Sequence, residues 1–319
     1  MNTHSAPSVD AIPPLSRRQM LQLGSLGSFA LTGCGVNKED APFRESSPIP
    51  TPTPFDRPEP HLVTRPELTA SLEEVVAENF AESLSVAVYD YSTHEQYVFN
   101  PGFIGLEASM VKVPIALTLM RRALANHRTL TGEERERVTA SLGVSENRST
   151  RSIFSRFGDT PAERAAQLNA TYELLEINLT RAHEGWGGNN TCAHDQLCIA
   201  QAVYEGVPWV SQVDLDVLRN ALEPRDQDTQ GWGMGLLAFP EQKTLYAPYA
   251  PQPQRIFCKN GWLLDERGIW YINTQGVLQY PHHALAYAVL SCGFYDFDAG
   301  KDFLDRAVGK VLQAYPGVE

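Results

Sequence analysis

Two strand-forming stretches lie near the front of this chain and three near its end, and everything from 101 to 254 reads as helix and turn. LSVAVYDY (84–91) and EQYVFN (95–100) alternate apolar and polar residues around Ser92-Thr93-His94, the pattern of a β-hairpin. RIFCKNGW (255–262), GIWYINTQGVL (268–278) and HALAYAVLSCG (283–293) are the late strands. Helical spacing is predicted over 68–80, with Thr69 or Ser71 as cap, and from Ser109 to about Leu124. It recurs over 131–143, in segments of 149–182, and over 194–206, 213–224 and 301–315. Strands this far apart must close into one sheet, while the helices between them form a body of their own. The expected fold class is α+β: a five-stranded antiparallel sheet flanked by helices, plus an all-α lobe. The α/β lobe is assigned to 67–108 and 250–319 and the α lobe to 109–249, with a cleft between them as the natural site.

The front of the chain reads differently. Ser16-Arg17-Arg18-Gln19-Met20-Leu21 resembles a twin-arginine export signal, and Leu31-Thr32-Gly33-Cys34 resembles a lipobox. Residues 1–33 are therefore expected to be removed, with a lipid chain on Cys34. The proline-rich run SSPIPTPTPFDRPEP falls within 34–66, which reads as an extended tether. These readings imply an exported chain anchored to the outer face of a bacterial cytoplasmic membrane.

A formal net charge of −12 and no basic stripe argue against nucleic acid as a partner. Beyond Cys34, four cysteines remain: Cys192, Cys198, Cys258 and Cys292. In an exported chain an even count permits two disulfides. Pairing 192–198 with 258–292 is the favoured of three connectivities, and four separate thiols are the other possibility. Neither the cysteines nor His183, His194, His282 and His283 show ligand spacing, so no metal and no cofactor is expected. Trp186 and Trp232 either pack or line the cleft.

Chemistry concentrates at EASMVKVPIALTLMRRAL. Of six lysines only Lys112 has a serine three residues before it, Ser109. That spacing puts amine and hydroxyl on one helical face, where the amine can take the hydroxyl proton. A helix start also offers free N–H groups to a developing oxyanion. Two further elements follow in order: Ser145-Glu146-Asn147 between helices, and Lys259-Asn260-Gly261-Trp262 on the first late strand.

With S-x-x-K, S-E-N and K-N-G-W in this order, residues 67–319 resemble the penicillin-recognising serine hydrolases, in particular the class A β-lactamase-like branch. The resemblance implies that Ser109 is the nucleophile, Lys112 its base and Ser145 a proton relay to the leaving nitrogen. Asn147 would hold the substrate amide and tie the lobe to Lys112, and Lys259 would attract a substrate carboxylate. Gly261 would let substrate backbone approach, and the N–H of Trp262 would complete the oxyanion hole with that of Ser109. Glu146 and Asn260 replace the family's aspartate and threonine; Asn260 is expected to donate to the carboxylate. Implied partners are a β-lactam or a peptidoglycan-derived peptide, and the membrane through Cys34; the chain is read as a monomer. One departure is plain. The family's loop glutamate, followed four residues later by asparagine, has no match in YELLEINLTRAHEGWGGNNTCAHDQL, where Glu173, Glu176 and Glu184 all sit at other spacings from Asn178. β-Lactam hydrolysis, D,D-peptidase action and silent binding of wall peptides thus remain the three functional readings.

Overall fold

The structure is a computed structural model that describes residues 59–79 and 83–316. The export signal, Cys34 and most of the tether fall outside the described residues. The described chain begins with β1 (His61–Leu62), α1 (Pro66–Asn79), β2 (Ser83–Asp90), β3 (Glu95–Phe99) and β4 (Gly105–Leu106). A 3-10 turn, Ala108–Val111, leads directly into α2 (Lys112–Ala125). Then come α3 (Gly132–Gly143), α4 (Asn147–Ser155), α5 (Pro161–Leu174), β5 (Asn190–Thr191), α6 (Ala193–Glu205) and α7 (Gln212–Ala221). Short pieces follow, α8 (Gln227–Gln230), a 3-10 turn Gly233–Ala238 and α9 (Pro240–Tyr246). The chain closes with β6 (Arg255–Leu264), β7 (Trp270–Gln279), β8 (Ala284–Phe294) and α10 (Phe297–Ala314).

The five anticipated strands form the sheet β3-β2-β8-β7-β6, all antiparallel. The count of five needs correcting to six. His61–Leu62 lies parallel to β3 at the outer edge, a pairing too short to leave a periodic signal. A separate two-stranded ribbon, β4 with β5, was also missed for its length.

Strand alternation decides what each sheet face carries. On β8, Ala284, Ala286, Ala288 and Leu290 face the helical body, while Leu285, Tyr287 and Val289 face α1 and α10. Alanines on the helical side let α6 lie close to the sheet. α2 is buried from Lys112 through Ala123, as a helix at the centre of a body is, with Lys112, Thr118, Arg121 and Arg122 as its buried polar members. Capping boxes fix the starts of α3 (Thr131 with Glu134) and α5 (Thr160 with Glu163, Pro161 following). The helical reading of 149–182 breaks into α4, α5 and an irregular stretch from 175 to 189, where no cap restarts a helix.

Neither favoured disulfide is present. Cys192 caps α6 and Cys198 lies six residues into it, about 9 Å along the axis at 1.5 Å per residue. Cys258 pairs through Gly276 with Tyr287, so Cys292 lies two strands over and five residues further along β8. Both separations exceed the roughly 7 Å limit for a bridge.

Candidate active site

Ser109 sits in the 3-10 turn that starts α2, not in the α-helix itself. The residue before it, Ala108, has φ +51°, a left-handed conformation that costs a non-glycine residue about 1–3 kcal/mol. Two backbone bonds hold that turn from below: Glu107 N–H donates to Asn189 O and Ala108 N–H to Gly187 O, both at 2.8 Å. From the sheet side, Asn273 Nδ2 donates to Leu106 O at 2.9 Å. Gly261 on β6 lies against the turn so closely that an added Cβ would stand 3.1 Å from Ser109 N and 3.0 Å from Met110 N.

β6 is the last strand of its sheet, and its outer edge faces this turn. Cys258 N–H points off the sheet to Leu222 O at 2.9 Å. By the two-residue alternation of an antiparallel strand, Asn260 and Trp262 present their N–H groups to the same open edge.

Lys112 is fully buried, and its Nζ lies 2.5 Å from Ser145 O, 2.9 Å from Ser145 Oγ and 2.8 Å from Asn147 Oδ1. Ser109 Oγ is not among those partners. An uncharged amine fits this arrangement: it donates to the carbonyl and the amide oxygen and accepts from the Ser145 hydroxyl. Ser145 has φ +56°, a second strained residue at the site. Its Oγ also lies 3.0 Å from Lys259 Nζ, which donates to Asn260 O at 2.7 Å as well. Burial, then the Lys259 charge, lowers the Lys112 pKa to about 7, against a smaller opposing pull from Glu146. Burial lowers Lys259 to about 8.

Ser109, Lys112, Ser145, Asn147, Lys259 and Gly261 therefore converge. Trp262 brings its backbone to the edge, while its ring packs edge-on to Trp232 at 5.8 Å. Asn260 does not join them. Its Nδ2 is spent on Trp232 O (2.9 Å) and Thr229 O (3.2 Å), and its side chain is fully buried. Strand alternation turns it to the face opposite Lys259, so it holds the 229–232 segment in place of a ligand carboxylate.

No family model matches the chain, and no curated protein matches it in sequence. Solved structures do match. PBP-A, as the acyl-enzyme of a point mutant with penicillin G, superposes at TM-score 0.63 with 14% identity, covering 82% of this chain and 100% of that one. A β-lactamase from Sphaerobacter thermophilus gives 0.60 at 19% identity, covering 81% and 100%. A variant of a reconstructed ancestral class A β-lactamase gives 0.61 at 18%, covering 78% and 98%. The fold is β-lactamase-like.

Glu173, Glu176 and Glu184 are all exposed, and none of them acts on Lys112. What the 175–191 stretch sets beside the amine is Trp186, with its ring centroid 5.8 Å from Lys112 Nζ. The sequence reading left Trp186 between packing and cleft, and passed over Glu107 and Asn273. Glu107 did carry a signal: it is a lone acid at the head of an otherwise apolar run. Asn273 had none, since its role depends on register with Gly261. Among the described residues no cluster of three or more histidines, cysteines or acids is placed to hold a metal.

Proposed function

We propose that this chain is a serine acyl-transfer enzyme in which Ser109 attacks a β-lactam or a related amide and becomes esterified. The observation that carries the reading is the hydroxyl of Ser145 lying within 3.0 Å of two buried lysines, beside a nucleophile turn appressed to Gly261. Neutral Lys112 takes the Ser109 proton after exchanging one present bond for that hydroxyl. Ser145 passes a proton from the lysine pair to the departing nitrogen. Lys259 attracts the substrate carboxylate, and the N–H groups of Ser109 and Trp262 receive the oxyanion. The penicillin G acyl-enzyme of a PBP-A point mutant supports a β-lactam as ligand.

The second half-reaction is slow in this reading. Water needs a base to open the ester; the 175–191 stretch sets an indole beside Lys112, and the carboxylate that does act on Lys112, Glu146, is bonded to the Ser149 hydroxyl. That favours a penicillin-binding, peptidase-like protein over a fast β-lactamase. Labelled penicillin tests both halves. A covalent adduct on Ser109 that persists for minutes or longer, and is absent in Ser109→Ala, is expected; absence of any adduct would leave only a silent binder. Rapid nitrocefin turnover would overturn slow deacylation.

Location rests on sequence: the Arg17-Arg18 and Leu31–Cys34 patterns support export and lipid anchoring. Arg17→Lys with Arg18→Lys should retain the precursor inside the cell, and normal export of that variant would point to the general secretory route.

A further inference from the structure

Glu107 stands two residues before Ser109 and is wholly buried, yet among the described residues no lysine or arginine pairs with it. Three side chains from three different elements donate to it instead. Tyr172 Oη, on α5, reaches both carboxyl oxygens at 2.8 and 2.9 Å. Asn189 Nδ2, beside β5, lies 2.8 Å from Oε2, and Gln196 Nε2, on α6, lies 3.2 Å from Oε1. The direction of these bonds is imposed from the far end. Asp195 accepts from Thr180 Oγ1 at 2.7 Å, so Thr180 must accept from Thr191 (2.8 Å), and Thr191 from Gln196 Nε2 (2.8 Å). The other hydrogen of that amide is then left for Glu107. Gln196 Oε1 has no partner, so the amide gains from its orientation only these two bonds.

We propose that Glu107 is a positioning residue for acylation: its carboxyl group pins the strained Ala108–Ser109 turn to the 187–191 segment, and its ionisation loosens that pin. The first clause follows from the hub geometry together with the Glu107 and Ala108 backbone bonds to Asn189 and Gly187. The second follows from burial through linkage; in the neutral form a flip of the Asn189 amide turns its Oδ1 to accept the carboxyl proton, a contact that ionisation removes. Burial raises this carboxyl from 4.5 to about 7, against the opposing effect of its three donors. Its titratable neighbours are Tyr172, whose phenol burial holds far above its ordinary value, and Asp195, whose charge pushes Glu107 further up. An opened turn exposes Glu107 to water and returns it towards 4.5. The closed turn thus binds the proton more tightly, so closure is favoured at low pH and weakened as pH rises to about 7, with no further change above. Its consequence for catalysis rests on the acyl-transfer reading; the pin itself does not.

Amide hydrogen exchange of the full chain, in peptides covering 104–111 and 185–192, tests the pin directly. Beyond the intrinsic pH effect, exchange at the Glu107 and Ala108 amides should speed up by as much as about tenfold per pH unit between pH 5 and 7, then level. Glu107→Gln is isosteric and stays uncharged, and a flip of the Asn189 amide supplies its N–H with an acceptor. It should lose the extra rise, whereas Glu107→Leu, which strands three donors, should exchange fast at every pH. A wild-type rate with no extra rise, or Glu107→Gln following the wild-type curve, overturns the proposal. Penicillin labelling reads the catalytic consequence: about tenfold slower in Glu107→Leu and within threefold of wild type in Glu107→Gln. Unchanged labelling in Glu107→Leu removes the positioning role. No wild-type adduct removes the acyl-transfer reading and leaves the exchange result to decide the pin.

Discussion

The Ser109 turn is held from two sides by opposite means. On the sheet side, contact is made by an absence: Gly261 has no side chain, and the β6 backbone comes within a methyl group's reach of Ser109 N. On the 175–191 side it is made by an excess of polar groups buried around one carboxyl. The first contact is geometric and insensitive to pH. The second gathers hydrogen bonds that each add about 1 kcal/mol, but it carries a titratable group at its centre. A site built this way has one rigid wall and one adjustable wall.

The largest effect that would sharpen this contrast is expected from Gly261→Ala. The added methyl meets main-chain atoms at 3.0–3.1 Å, so the oxyanion donors must separate. Acylation should fall about 10²–10³-fold, the usual loss for one such donor, at every pH. A loss confined to one pH range would erase the distinction between the walls. Next is Lys259→Ala, which should slow acylation by carboxylate-bearing substrates about 10–100-fold and affect neutral esters less. The proposed acyl transfer needs Lys112 neutral and Lys259 charged, so acylation by the wild-type chain should peak between about pH 7 and 8. Removing the Lys259 charge relieves its pressure on Lys112 and moves the acid limb to higher pH; a stationary limb would show that the two amines are not coupled. Asn273→Ala deletes the bond to Leu106 O and the one that Asn273 Oδ1 accepts from the buried Ser291 N–H, and should cost about three- to tenfold in acylation rate. The smallest change is expected from Trp186→Leu, a few-fold shorter adduct lifetime as water reaches Lys112, read by release of labelled penicillin. A longer lifetime would mean that the indole does not screen the ester.

The rigid wall was legible in the sequence and the adjustable one was not. K-N-G-W sits on a strand whose alternation is plain, so the placement of Lys259, Gly261 and the Trp262 backbone followed from the pattern. Lys259 and Asn260 part for a single reason: neighbouring residues on a strand face opposite ways, so Lys259 turns towards Ser145 and Asn260 towards the 229–232 segment, and a motif names both without saying which points inward. Glu107, Asn189, Gln196 and Thr191 meet only because β4 pairs with β5, a two-residue ribbon below the reach of any periodicity. Spacing puts Lys112 and Ser109 on one face, and a 3-10 turn keeps residues i and i+3 in line, yet the amine's bonds go to Ser145 and Asn147, which lie more than thirty residues away and leave no local signal.

β6 ends its sheet, and a bare strand edge invites another chain to add to it. Here the row is largely occupied: Leu222 takes the Cys258 N–H, the Lys259 ammonium covers the Asn260 carbonyl, and the Ser109 turn closes over Gly261. At the opposite border His61–Leu62 is only two residues long and follows Pro60. The parts arranged for chemistry therefore also shield the sheet from self-association, so a variant that frees the Ser109 turn should cost solubility as well as activity.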